Sequence, residues 1–226
     1  GNLSLAGGAA LYGENLNATA AGNISLAGSS MSAEETVSLT AYGAGGIVLT
    51  GASNVSAGNW DSNAPKLSLA AYAGPVSITS SDLWSEGPLS IWTAGAATFN
   101  GADITTGSYD GGLLSVAASS DITLSGGSWL HGEYLAIATN GGITLAGGSE
   151  VGAYEDASLT AYGAAGISFN ASYGHSDNAT LSLTAPAGPI MITNGSELWS
   201  DANVALASGG VLSVVYGSEV GAFQDV

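Results

Sequence analysis

Carboxylates are the commonest reactive groups in this chain, and five of them recur at one point of a repeating pattern: Asp82, Asp103, Glu150, Glu197 and Glu219. At neighbouring levels of a stack, as with Asp82 and Asp103 or Glu197 and Glu219, such groups would lie about 5 Å apart. Like charges that close repel unless a cation intervenes or a pKa rises. Oxygen-only donors suit Ca2+, so one reading is a weak calcium ladder. The other is a solvated charged edge that keeps the surface soluble and discourages stray strand pairing. The calcium-binding nonapeptide pattern is absent, which favours the edge. No metal and no cofactor is expected, Ca2+ being the one ion the column would suit.

The two histidines also have carboxylates nearby, His131 with Glu133 and His175 with Asp177. Acid–base catalysis on a polysaccharide would need several such groups converging on one face. These pairs fall in different repeats, at expected corners, and the chain has no Arg to stabilise developing negative charge. No nucleophile elbow, metalloprotease helix or phosphate loop is present. The expectation is surface histidines at turns, no catalytic residue, and a protein that is not an enzyme.

Composition narrows the partners. The 226 residues carry 18 acidic side chains against the single Lys66, for a net charge of −17. Phosphate contacts need Lys and Arg, so nucleic acid is excluded as a partner. Only 8% of residues are charged while 46% are apolar, which is not the composition of an acidic disordered chain. No apolar run reaches the ~18 residues of a membrane-spanning helix. Without Cys, neither disulfides nor thiolate metal sites arise.

The elements that must position these groups are short strands. Gly22-Asn23-Ile24-Ser25-Leu26-Ala27-Gly28 opens a segment in which Ile24 and Leu26 alternate with Asn23 and Ser25. A Gly/Ser corner, a shorter strand and a third strand follow, the last with Val37, Leu39 and Ala41 on one side and Ser38 and Thr40 on the other. This order recurs through the chain, and Gly or Pro interrupts every stretch long enough for a helix. The pattern predicts an all-β chain: a right-handed parallel β-helix (β-solenoid) of about ten coils of 21–24 residues, with three short strands per coil. One coil buries almost nothing, but coils stacked ~4.8 Å apart pair every strand above and below. Apolar residues then form inward columns, Ser, Thr and Asn face water, and the 35 glycines supply corners.

A longer period overlies the first. Leu11-Tyr12-Gly13-Glu14 returns as Leu130-His131-Gly132-Glu133, and Ser38-Leu39-Thr40-Ala41-Tyr42-Gly43 returns at Ser158 to Gly163. Residues 1–226 thus read as a single solenoid, internally duplicated into five coils over 1–119 and five over 120–226, the last lacking a third strand. No capping element is visible at either end. The expectation is a piece of a longer array, or ends that stack on neighbouring copies.

Aromatic residues recur as well: Tyr42, Tyr72 and Tyr162 after third strands, Trp84 and Trp199 within second strands. They would stack on one another or form a platform for sugar rings. One coil carries an insertion, Gly58-Asn59-Trp60-Asp61-Ser62-Asn63-Ala64-Pro65-Lys66, whose Trp60 and Lys66 make it the best candidate for a specific contact. Seven glycosylation sequons begin at Asn2, Asn17, Asn23, Asn54, Asn170, Asn178 and Asn194. Period-2 alternation alone favours this spacing, since it sets polar residues at i and i+2 on the outward face.

The runs Gly22-Asn23-Ile24-Ser25-Leu26-Ala27-Gly28 and Val37-Ser38-Leu39-Thr40-Ala41 resemble the hemagglutinin-type repeats of filamentous-hemagglutinin-like secreted proteins. The resemblance implies a large extracellular right-handed β-helix used as a fibre or adhesin. The family's amino-terminal secretion motif is not visible, so no secretion route follows. The reading of the whole chain is a structural subunit or segment of an extracellular, cell-surface fibre or sheath, self-assembling end to end. An adhesin stalk or passenger binding glycans is the alternative, and a polysaccharide-acting β-helix enzyme a distant third.

Overall fold

The computed structural model describes residues 1–58, 66–107 and 112–223. Ten parallel strands, from Leu3–Ala6 to Leu212–Val214, stack in sequence order as one face. The other seventeen strands build the remaining two faces. Each strand pairs in parallel with its counterpart in the coil before or after. The chain is a right-handed parallel β-solenoid without helices among the described residues. The described residues trace about nine turns, followed by a tenth that holds Leu212–Val214 and Glu219–Ala222. The ladder crosses the boundary between the two halves without a break: Ala97 pairs with Ile122, Ile104 with Leu130 and Val116 with Ile137.

Two coils depart from the three-strand expectation. Ala10–Ala20 and Ser30–Ala41 each run as one strand through the second corner, where the register shifts between Gly13 and Asn15. An extra residue bends the strand there as a bulge does, so no separate turn is needed.

Burial follows the period-2 pattern. Ile24, Ile47, Val76, Ala97, Ile122, Ile143, Ile167 and Ile190 form one fully buried column, and Leu26, Leu49, Ile78, Phe99, Leu124, Leu145, Phe169 and Ile192 form the next. A narrow interior admits a large ring only where a neighbour shrinks. Phe99 shares its coil with Ala97. Beside Phe169 lies Gly174, where a Cβ would stand 3.1 Å from Cε1 of Phe169 and 2.8 Å from Leu198 Cδ2.

The hydroxyls are not all outside. Ser53, Ser81, Ser128, Ser149, Ser172 and Ser196 are wholly buried at the first corner. Each donates to a carbonyl of its own turn, as Ser53 Oγ does to Thr50 at 2.7 Å. Several also accept an N–H from the adjacent coil: Ser53 N donates to Ser81 Oγ at 3.2 Å, and Ser172 N to Ser196 Oγ at 3.2 Å. Corners turn the chain before sheet pairing resumes, and buried backbone groups there require partners. Serine supplies both donor and acceptor, which is why outward-facing polarity does not describe it here.

Nor does every corner need glycine. Ala52, Ser80 and Ala171 hold positive φ of 61°, 45° and 49°. Glycine is obligatory at Gly46 and Gly166, where φ is positive and a Cβ would lie 1.8 Å and 2.0 Å from the carbonyl oxygens of Pro75 and Pro189.

Candidate functional site

The second face brings together groups that the sequence holds far apart. Strands Trp129–Gly132, Glu150–Ala153, Tyr173–Ser176 and Glu197–Ser200 stack in register. Leu130, Val151 and Leu198 point inward and are buried, so the alternate positions face out. Register then dictates two outward columns: Trp129, Glu150, Tyr173, Glu197 and, beside it, His131, Gly152, His175, Trp199.

Gly152 is the gap that makes the site. With no side chain between the two histidine levels, the His175 ring lies over Gly152, and a Cβ there would be 2.2 Å from Cε1 and 2.4 Å from Nε2. The imidazoles of His131 and His175 meet at 5.6 Å between centroids. His175 stacks on Trp199 at 5.0 Å and 10°, and His131 packs against Trp129 at 5.8 Å. Four rings therefore run continuously along the face.

Two carboxylates close on the inner ring. Glu150 Oε1 lies 3.2 Å from His175 Nδ1, and Asp177 Oδ1 lies 3.8 Å from Nε2. Asp177 is anchored by its own N–H, which donates to the Ala153 carbonyl at 3.0 Å. His175 is only 7% exposed. Burial lowers the pKa of both histidines, while the Asp177 charge pulls each the other way and His131 lowers His175 further. Burial, then Asp177, raises the Glu150 pKa. Burial thus favours the neutral form of both imidazoles. One ligand atom each from His131, His175 and Asp177 can be chosen so that all lie within 4.8 Å of one another. These are the residues that could hold a metal ion.

This corrects the expected isolation of the histidines. They do belong to different coils, yet both sit within strands rather than at turns, and the register brings their rings into contact. Glu133, the neighbour of His131 in sequence, accepts instead from the Gly112 N–H at 3.0 Å. Alignment of the second strands by coil (Trp-Leu-His-Gly, Glu-Val-Gly-Ala, Tyr-Gly-His-Ser, Glu-Leu-Trp-Ser) contains the signal, at the third position of each.

The acidic residues open the second strands, and not as one column of carboxylates. Asp82 pairs with Asp103, and Glu197 with Glu219, but Trp129 and Tyr173 flank Glu150. Burial, and then the charge of Asp82, raises the pKa of Asp103. Of the aromatic residues, Tyr42 stacks on Tyr72 at 5.0 Å and 14°, and Tyr72 meets Trp92 at 4.9 Å. Tyr162 is further along and, with Trp92, walls a groove of about 220 Å³ whose floor includes Ala117 and Ala138. Trp84 is exposed in the column of Ser56 and Thr105. Lys66 is exposed and opens strand Lys66–Ala71, whereas Trp60 lies outside the described residues.

Asn2, Asn17, Asn54, Asn170, Asn178 and Asn194 are exposed and Asn23 is partly covered. Several of these amides already bridge coils. Asn2 Oδ1 accepts from Asn23 N at 3.0 Å, Asn23 Oδ1 from Gly45 N at 2.8 Å, and Asn170 Oδ1 from Asn194 Nδ2 at 2.8 Å.

The chain matches no protein-family model, no curated protein and no solved structure. Its description therefore rests on its own geometry: a β-solenoid with a ring-and-carboxylate cluster on one face.

Proposed function

We propose that this protein is a structural, non-enzymatic segment of an extracellular fibre or sheath, extended by coil-on-coil stacking with further copies. The carrying observation is the unbroken coil-on-coil ladder with its inward columns. Ile143, Leu145 and Val151 are wholly buried, and the same columns continue as Leu212, Val214 and Val220 in the tenth coil. In the first coil Leu3, Leu5 and Leu11 begin those same columns. Stacking a tenth coil on a first coil would continue each column with a residue of like character and pair edge strands that otherwise invite association. The scarcity of Lys and Arg, which leaves trypsin-like proteases almost nothing to cut, supports an exposed location, as does the resemblance to filamentous-hemagglutinin-type repeats.

Electron microscopy and sedimentation of the purified chain test this. Expected are particles lengthening with concentration and a ~4.8 Å repeat along the axis. A monodisperse single rod at millimolar concentration overturns the reading.

The exposed Tyr42–Tyr72–Trp92 strip favours a second reading, an adhesin segment on which sugar rings stack. Glycan-array binding that disappears on Trp92→Ala would support it.

A further inference from the structure

We infer that His131, His175 and Asp177 form a binding site for a first-row divalent transition metal, of which Zn2+ is the practical probe, and that Glu150 is its positioning residue. This site is independent of the fibre reading.

The donor set selects the class of ion. Two imidazoles and one carboxylate suit Zn2+, Cu2+ or Ni2+, whereas Ca2+ takes six to eight oxygens. In a tetrahedral zinc site, ligand atoms ~2.0–2.2 Å from the metal stand roughly 3.4 Å from one another. The three donor atoms here lie within 4.8 Å, so side-chain rotations of about 1 Å on fixed strands close the site. Three protein ligands leave a fourth position for water.

The placement of the carboxylates fits as well. His175 Nδ1 lies 3.2 Å from Glu150 Oε1, and Nε2 lies 3.8 Å from Asp177 Oδ1. A ligating histidine typically gives its other N–H to a carboxylate that is not itself a ligand, and Glu150 stands where such a partner would.

The gap at Gly152 would serve a plain ring stack equally, but such a stack would not need a carboxylate facing each nitrogen of His175. Ser32, Ser56 and Thr105 fill the equivalent outward position elsewhere without disturbing the ladder. The chain's two histidines both stand at this one place, although 44 residues separate them. An ion bound there would clip the coil of His131 to that of His175 and Asp177 across the intervening one.

The test titrates the untagged full chain with Zn2+ alone, by calorimetry or chelator competition, with Ca2+ in parallel. Expected are one Zn2+ per chain, no competition by millimolar Ca2+, and loss of binding in His175→Gln and in Gly152→Ala. The latter keeps every ligand but displaces the His175 ring. Glu150→Gln should weaken binding by about 10- to 100-fold. Circular dichroism checks that each variant folds. Should His175→Gln misfold, imidazole 15N shifts of the unmodified chain decide, since Zn2+ must move both histidine signals together. Zn2+ and Cu2+ affinities both weaker than about 100 µM overturn the proposal. So do folded His131→Gln, His175→Gln or Gly152→Ala proteins that bind Zn2+ as the unmodified chain does.

Discussion

Gly152 and His175 compete for one volume: a Cβ on Gly152 would stand 2.2 Å from Cε1 of the imidazole one coil above. The strand bearing Gly152 has ordinary backbone, so alanine is allowed there and the ring must give way. In Gly152→Ala, His175 moves outward, leaves His131 and regains water. Its pKa should rise toward the ordinary 6.5, measured by NMR titration of the imidazole. An unchanged titration would show that the ring does not depend on the gap.

Gly174 has the same relation to the core. Gly174→Ala places a methyl group 2.8 Å from Leu198 Cδ2 and 3.1 Å from Phe169, and overpacking of this kind costs about 1–3 kcal/mol. Phe169→Leu should recover part of that loss in the double variant. Urea denaturation of the four proteins gives the coupling directly, and strict additivity would refute the contact.

Corner backbone sets a third expectation. Ala171 holds φ at 49°, a conformation that costs a non-glycine residue about 1–2 kcal/mol. After the greater unfolded-state freedom of glycine is subtracted, Ala171→Gly should stabilise the chain by roughly 0.5–1 kcal/mol. Gly46→Ala should do the reverse and more strongly, because positive φ and the Pro75 carbonyl both oppose it. Thermal midpoints of the two variants should move in opposite directions.

Charge on the exposed end columns should limit assembly. Leu212 and Val220 are exposed in the tenth coil, so Leu212→Glu with Val220→Glu should leave the circular dichroism spectrum intact while shortening particles in sedimentation. Equal lengths in the variant and the unmodified chain would remove the end faces from the assembly.

Acid sensitivity follows from the ring cluster. The groups facing His175 are Glu150, Asp177 and His131, and the net effect on both histidines is a pKa below 6.5, mainly through burial. The unfolded chain then binds protons more readily, so stability present at neutral pH is lost as pH falls below 6.5 through the folded-state values. Asp103 and Glu150 are raised above their ordinary 3.8 and 4.5, again mainly by burial. For them protonation favours the folded chain, which offsets part of the loss at lower pH. Denaturation midpoints should therefore fall as pH drops from neutral to below 6.5, and the fall should flatten in the His131→Gln, His175→Gln double variant. Parallel curves for the two proteins would contradict the assignment.

The architecture was legible because a solenoid is a local code repeated. Alternation of Ile24 and Leu26 with Asn23 and Ser25 states which side faces inward, and stacking identical units admits few other solutions. The buried serines were harder to see. Ser53 and Ser56 look alike in sequence, and only the closed corner shows that the first must satisfy backbone groups out of reach of water. Phe169 and Gly174 likewise read as two unrelated irregularities until the coil sets them side by side.

For the cluster, sequence determined the ingredients: two histidines, their acidic neighbours and the odd glycine between them. It did not determine their meeting, because the distance between side chains in stacked coils depends on register, and register depends on the length of every intervening corner. Only the tertiary structure placed His131, Gly152 and His175 in one column. With no side chain on the middle residue, two rings from alternate coils touch. Where a Cβ is missing, the neighbour's ring takes its space, and that steric fact decides the site.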